Sequence, residues 1–220
     1  MITRFKMRLF PTLLAAALLA APMAQAKTID FSKGWKNQKL SVFANNKYSF
    51  GKSLGITSDD AVSIAWTRLG SGDWNRSKAS WAWSVSQSVP PTNLGRKGGD
   101  DRNISVYFVF LPEGEAKRLQ GASIRKLLGN SKVRILQYAW GGNHGRRAFI
   151  ASPYAPKGQG TTVAMRQAGT GSHSESVNLK SDYAKAFGGS YGKLVGLAVS
   201  ADSDDTNSVI KARVSNLKIN

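Results

Sequence analysis

The sequence of 220 residues contains no cysteine, two histidines and only three glutamates. The absence of cysteine excludes a disulfide framework and the lipidated cysteine of a bacterial lipoprotein. Two separated histidines rarely provide the ligand set that zinc needs, so we expect no zinc site. Neither His144 nor His173 lies in a strand-turn-helix segment with a Gly-x-Ser-x-Gly turn, which disfavours a catalytic serine triad. The glutamates fall in expected loops or a helix, which disfavours the strand-borne glutamate of a sandwich glycosidase.

Long apolar runs are also scarce, and the main one lies at the N-terminus. Three basic residues precede an apolar run over residues 9–21, and the small-residue site Ala24-Gln25-Ala26 follows it. This pattern is typical of a secretory signal peptide. The run is shorter than the about 20 residues that cross a bilayer, so we expect no membrane span. We predict a signal peptide over residues 1–26, one domain over residues 27–220, and a periplasmic or secreted location.

Acidic residues are few, and the formal net charge is +18. Removal of the signal peptide leaves 28 basic and 13 acidic residues, a net charge of +15. Such a field attracts anionic polymers or headgroups, although scattered lysines can also serve only to keep strands and loops solvated. We find no basic helix and no nucleic-acid motif, and therefore predict no nucleic-acid partner.

The strongest strand pattern runs from Ile104 to Leu111. Apolar residues occupy both faces of this segment, so we expect the strand to be covered on both sides. Just before it, Gly98-Gly99-Asp100-Asp101-Arg102 predicts a loop that carries charge to the edge of a sheet. A second apolar strand is predicted over residues 193–201.

Weaker patterns complete the expected fold. Aromatic and apolar residues, Val42 and Phe43 among them, predict one or two short strands within residues 27–60. Helical patterns predict two short helices, one ending at Gly129 and one over Asp182–Phe187 with Ser181 as its N-cap. The tryptophans of alternating strands are expected in the core: Trp66, Trp81 and Trp83. The remaining strands are predicted over residues 62–66, 79–85, 132–140, around 149–150, 161–165 and 209–219, and residues 169–174 are predicted to form a loop. We predict an all-β sandwich or barrel, mostly antiparallel.

An ordered series of motifs runs through the mature chain: Trp81-Ala82-Trp83-Ser84-Val85, Gly99-Asp100-Asp101-Arg102, Tyr138-Ala139-Trp140, Ser152-Pro153-Tyr154, Asp182-Tyr183 and Asp202-Ser203-Asp204-Asp205-Thr206. In order and spacing it resembles the secreted bacterial domain-of-unknown-function family numbered three thousand and forty-seven. The resemblance implies an exported jelly-roll-like β-sandwich, similar to galactose-binding-like modules, with no established activity. The chain departs from the family pattern at Asp205, where asparagine is usual.

Two acidic clusters flank the two apolar strands. Asp100 and Asp101 precede one strand, and Asp202, Asp204 and Asp205 follow the other. If these strands are antiparallel neighbours, both clusters lie at one edge of the sheet. The late cluster could then hold a hard cation such as calcium, and no other cofactor is expected. Alternatively, Arg102 neutralises one carboxylate and the other aspartates cap turns.

The functional hypothesis is a ligand site on a loop rim. Aromatic side chains at strand ends or in glycine-rich loops can stack on sugar rings, and five are expected at such positions: Trp74, Tyr138, Trp140, Tyr154 and Tyr191. We predict a non-catalytic exported protein that recognises an envelope glycan or other anionic polymer through Asp100, Asp101, Arg102, Trp140, His144 and Tyr154. One alternative is a polysaccharide-acting enzyme, a glycoside hydrolase or lyase, that uses the aspartates. Another is a structural interaction protein with an exposed apolar patch.

Overall fold

A computed structural model describes residues 25–40 and 44–220. The predicted signal peptide, apart from its last two residues, lies outside these residues, as do Val42 and Phe43. The described strands are β1 (Lys27–Thr28), β2 (Lys36–Lys39), β3 (Lys47–Ser49), β4 (Ser53–Asp59), β5 (Val62–Arg68), β6 (Lys78–Gln87), β7 (Arg102–Leu111), β8 (Arg134–Trp140), β9 (Phe149–Ala151), β10 (Gly160–Arg166), β11 (Gly171–Asn178), β12 (Lys193–Asp202) and β13 (Val209–Ile219). The helices are a 3₁₀ turn (Ser71–Asp73), α1 (Glu113–Arg118), α2 (Ile124–Leu128) and α3 (Leu179–Phe187).

The strands form two sheets. The back sheet has the order β11-β6-β13-β4-β3, with β1 also paired to β13. The front sheet has the order β2-β5-β12-β7-β8-β10-β9. Among the described strands, β8 and β10 pair in parallel and every other pair is antiparallel. The predicted all-β, mostly antiparallel sandwich is therefore confirmed.

The core lies between the two sheets and follows from the period-two patterns of their strands. In β7 the inward side chains, Ile104 to Phe110 at every second position, are fully buried. From the back sheet, Trp81 packs on Phe108 with ring centroids 6.1 Å apart, and Trp83 packs on Trp140 at 5.7 Å. Trp81 and Trp83 are thus core residues, as predicted.

Short helices cover the ends of the sandwich. Leu119, between α1 and α2, and Leu127 of α2 form a small apolar cluster with Leu111 of β7 on the outer face of the front sheet, which explains why β7 is apolar on both faces. At another end, α3 contacts β8, where the hydroxyl of Tyr138 donates to Asp182 at 2.7 Å. Three α-helices are described where two were predicted, because the segment that ends at Gly129 contains two. The N-cap of α3 is Asn178 rather than Ser181, since Asn178 accepts from the Ser181 backbone N–H.

Two predictions about individual segments were wrong: the core position of Trp66 and the loop over residues 169–174. Trp66 lies on the outer face of the front sheet, half-buried, with the cationic groups of Lys36 and Arg68 about 6 Å from its ring. The small residues of β5, Ala65 among them, face the core instead. The segment 169–174, expected to be a loop, contains the start of β11, which pairs along its length with β6.

Candidate functional site

The apolar strands β7 and β12 are antiparallel neighbours at the centre of the front sheet. Their register places Asp202 at the end of β12 directly opposite Arg102 at the start of β7. The expectation that the two strands bring their acidic clusters together is therefore confirmed. We call these five residues the acidic edge: Asp100, Asp101, Asp202, Asp204 and Asp205.

Arg102 holds the acidic edge together. Its Nη1 lies 2.9 Å from a carboxylate oxygen of Asp100 and 2.9 Å from one of Asp202, and its Nη2 donates to the Tyr107 hydroxyl at 3.1 Å. Burial alone would lower the pKa of Arg102, but Tyr107, Asp202 and Asp100 raise it above its usual range. The guanidinium is charged; its Nη1 and Nη2 are engaged by the protein's own groups, whereas its buried Nε has no hydrogen-bond partner among the described residues. Removing it would leave buried carboxylates without a partner, which typically costs about 3–5 kcal/mol.

Asp202 has the most perturbed carboxyl group of the acidic edge. Burial raises its pKa, and although Arg102 opposes this, Asp204 and Asp100 add to the rise, which brings the pKa to about 8. Only 11% of its side chain is exposed. A carboxyl with such a pKa exchanges its proton near neutral pH, which is a property common at functional sites.

Asp101 has a structural role that the sequence did not reveal. It is fully buried, and its carboxylate accepts from the backbone N–H of Thr206 at 2.8 Å and from that of Asp205 at 3.3 Å. The Thr206 hydroxyl also contacts the same carboxylate. Asp101 therefore fixes the turn after β12, and the prediction that it contacts a ligand is corrected for the cleft described below, because Asp101 is fully buried and does not line it.

The acidic edge also contains the residues predicted to bind a metal. Carboxylate oxygens of Asp101, Asp202 and Asp204 lie within 4.8 Å of one another, a spacing at which they could share one hard cation. Asp205 was predicted in place of Asp101, but it does not join this group. Calcium remains a prediction, and the Arg102 charge beside Asp202 opposes it.

A cleft of about 570 Å³ opens beside the acidic edge, on the outer face of the front sheet. Tyr154, with 57% of its surface exposed, forms part of the rim. Its hydroxyl donates to Asp100 at 2.9 Å and accepts from the Gly98 backbone N–H at 3.2 Å. Burial and the nearby Asp100 raise the pKa of Tyr154 to about 12, so the phenol keeps its proton. We call the following group the polar end of the cleft: Asp100, Arg102, Tyr107, Tyr154, Asp202 and Asp204.

The rest of the cleft lining includes many aliphatic side chains. They come from strands β5, β7 and β8, from α2 and from the segment after β2. We call this group the aliphatic zone: Leu40, Val62, Ile64, Val109, Leu128 and Ile135. Among the described residues four large apolar side chains are exposed, and three of them, Leu40, Leu128 and Tyr154, line this cleft. Tyr154 was predicted, but sequence reasoning missed Tyr107 and the residues of the aliphatic zone, because they are scattered along the chain and resemble ordinary strand or helix positions.

Two predicted ligand contacts lie elsewhere. Trp140 is only 2% exposed and faces the core against Trp83, so it cannot stack on a ligand in the cleft. His144 is half-buried, and its Nε2 accepts from the Leu94 backbone N–H at 3.0 Å. This bond anchors Leu94 in the loop between β6 and β7. His144 is not among the residues that line the cleft.

Other sequence candidates are also structural. Trp74 and Tyr138 are buried, and the Tyr191 hydroxyl donates to the Arg76 carbonyl at 2.7 Å. Glu175, expected in a loop, lies in β11, where its buried carboxylate pairs with Arg146 and Arg166. Tyr154 is thus the one aromatic residue of the predicted set that lines the cleft.

The fold and the site together define a β-sandwich protein with a ligand-sized cleft on the outer face of one sheet. The sequence profile of the family described as "Protein of unknown function (DUF3047)" matches residues 33–218. The chain therefore belongs to this family, which confirms the resemblance noted in the sequence. No curated protein matches the sequence.

Comparison with solved structures finds matches of low sequence identity. The family 11 carbohydrate-binding module of the cellulase Lic26A-Cel5E of Clostridium thermocellum is 12% identical, with a TM-score of 0.44 over 90% of this chain and 95% of the module. The xyloglucanase domain of NopAA from Sinorhizobium fredii is 8% identical, with a TM-score of 0.44 over 89% of this chain and 98% of that domain.

Among the described residues, no helix is both long and apolar enough to span a bilayer.

Proposed function

We propose that this protein is an exported, non-catalytic binding protein that holds a neutral envelope glycan in the cleft of the front sheet. The observation that carries the proposal is the convergence of Asp100, Tyr154 and Asp204 at one end of the cleft. The cleft volume of about 570 Å³ lies within the range of about 300–1,000 Å³ that is usual for small-ligand sites.

The polar end favours a ligand that donates hydrogen bonds. Asp204 is exposed, lines the cleft and forms no ion pair among the described residues. Arg102 is buried and its Nη1 already pairs with Asp100 and Asp202, so these carboxyl groups flank its charge and disfavour a further anion there. Sugar hydroxyl groups provide the donors that these oxygens need. Of the two partners expected from the sequence, a neutral glycan therefore fits the cleft better than an anionic polymer.

The basic surface supports a separate role in retention. The net charge of +15 after loss of the signal peptide would hold the protein near an anionic envelope surface while the cleft engages its ligand. An anionic polymer is then a partner of the basic surface.

The second candidate is a polysaccharide-acting enzyme, and one geometric observation favours it. Asp100 and Asp202 each place an oxygen 2.9 Å from the same Arg102 nitrogen, so those oxygens are at most about 5.8 Å apart, twice that distance. Retaining glycosidases use carboxyl groups about 5–5.5 Å apart, one of them with a raised pKa. Here Asp202 would be the acid. Reducing-end assays on polysaccharides test this candidate: it requires products that disappear in both Asp100→Asn and Asp202→Asn.

The binding proposal is tested on an array of neutral and anionic envelope glycans. We expect wild type to bind a neutral member and the double variant Asp204→Asn, Tyr154→Phe to lose about tenfold or more in affinity, because hydrogen bonds to charged groups contribute about 1.5–3 kcal/mol. Asp30→Asn is the matched control, since Asp30 is exposed and does not line the cleft. Equal binding by wild type and the double variant would contradict the proposal.

A further inference from the structure

The cleft lining contains two chemically different groups of side chains, which meet where Val62 pairs in register with Asp202. At the polar end, carboxylates and phenol hydroxyls surround the occupied Arg102. In the aliphatic zone, branched side chains from three strands of the front sheet, Ile64 of β5, Val109 of β7 and Ile135 of β8, line the same space. Among the described residues that line the cleft, Tyr107 and Tyr154 are the two aromatic ones, and both belong to the polar end. A ligand made only of sugar would leave the aliphatic zone without an apolar partner.

The aliphatic zone is open rather than sealed. Leu40 is 53% exposed and Leu128 is 37% exposed, although both are large apolar side chains. Soluble proteins rarely leave such side chains grouped around one groove unless the groove receives an apolar ligand. Burial of an alkyl chain against them would be favourable by about 0.8 kcal/mol for each methylene group.

The polar end determines which charge the head group of that ligand can carry. The exposed Asp204 is beside Asp202 and has no cationic partner among the described residues. Cations near the polar end include Arg102, which is already paired with Asp100 and Asp202, and Lys97, which lies over the Tyr154 ring with its Nζ 5.6 Å from the centroid. An anionic head would meet Asp204 at close range. A neutral head with several hydroxyl groups would instead donate to these oxygens.

We propose that the ligand of the cleft is an amphiphile, with a neutral sugar head at the polar end and an alkyl or acyl tail along the aliphatic zone. This is the chemistry of a glycolipid. The inference rests on the proposed function, since it assigns the sugar to the same site, and it adds the tail as the second determinant of affinity.

The test is calorimetric titration of the mature protein with maltose and with octyl, decyl and dodecyl maltoside, each below its micelle concentration. We expect affinity to rise by about fourfold for each added methylene, which corresponds to about 0.8 kcal/mol. Leu128→Ser should reduce this gain, because Leu128 lines the aliphatic zone. Phe50→Ser is the matched control, since Phe50 is 43% exposed but does not line the cleft. Asp204→Asn should weaken binding of every maltoside alike.

The possible results separate the inference from the function on which it rests. Affinity for maltose that does not increase with the tail would overturn the amphiphile and leave glycan binding standing. A tail dependence that is equally reduced by Phe50→Ser, or unaffected by Leu128→Ser, would also overturn it, because the tail would then bind outside the cleft. Failure of maltose and of all three maltosides to bind would count against both the amphiphile and glycan binding.

Discussion

Replacement of Asp202 by asparagine should change how the stability of the protein depends on pH. Unfolded Asp202 titrates near its usual pKa of about 3.9, whereas burial and the neighbouring carboxylates raise the pKa in the folded protein to about 8. The folded state therefore binds one more proton than the unfolded state between these values. The stability that this proton provides is complete below the lower pKa and is lost as the pH rises towards 8.

The size of the effect follows from that single proton. A difference of one bound proton changes the free energy of unfolding by about 1.4 kcal/mol per pH unit, or ~3 kcal/mol between pH 5 and pH 7. Asparagine has the same shape and cannot titrate, so the comparison of wild type with Asp202→Asn isolates this contribution. Other titrating groups, Asp205 among them, are common to both proteins.

The assay is urea unfolding of both proteins at several values between pH 5 and pH 9. We expect the stability of wild type relative to Asp202→Asn to fall with pH and to level off above pH 8. If the Arg102 ion pair instead kept Asp202 ionised, the difference would be constant above pH 5 and would fall only in acid. That result would refute the assignment of burial as the dominant influence on Asp202.

Three further predictions concern packing, charge and metal. Gly141→Ala should destabilise the protein by about 1–3 kcal/mol in thermal unfolding, because Gly141 has a φ of 152° and an added Cβ would lie 2.7 Å from the Arg102 Cα. Gly145→Ala is its control, with nothing within 4 Å of the added atom; equal losses would refute the steric argument. The protein without its signal peptide should bind phosphatidylglycerol vesicles at low salt and dissociate from them at about 1 M salt, where the Debye length is about 3 Å. Binding that does not depend on salt would contradict the argument that the positive net charge retains the protein. The calcium hypothesis predicts a higher Tm with calcium than with chelator, and an unchanged Tm would exclude it.

The central pairing could be predicted because its physical cause is local. Strands β7 and β12 are apolar on both faces, which suits the middle of a covered sheet, and their acidic ends then meet by antiparallel geometry. In β8 the period-two alternation places Tyr138 and Trp140 on the same face of the strand. Which face points inward depends on the opposing sheet, so sequence alone could not place Trp140 in the core.

The errors in β5 and β11 have a related cause. In β5 the larger side chains were expected inside, but Ala65 faces the core and Ile64 lines the cleft, because the outer face of the front sheet is itself largely apolar. β11 carries little apolar signal, since its inward positions include Glu175, which two arginines neutralise. The cleft depends on residues from five strands, α2 and loops, and no segment of the sequence contains its outline.

The most direct test of glycan binding in the cleft is to locate the bound glycan by chemical-shift mapping on isotope-labelled protein. We predict perturbations of backbone amides that line the cleft, around Tyr107, Ile135 and Ala198. The back sheet has a shallower groove of about 340 Å³ that includes Ser84 and Arg213. Perturbations confined to that groove, with none in the cleft, would contradict the assignment of the cleft as the binding site.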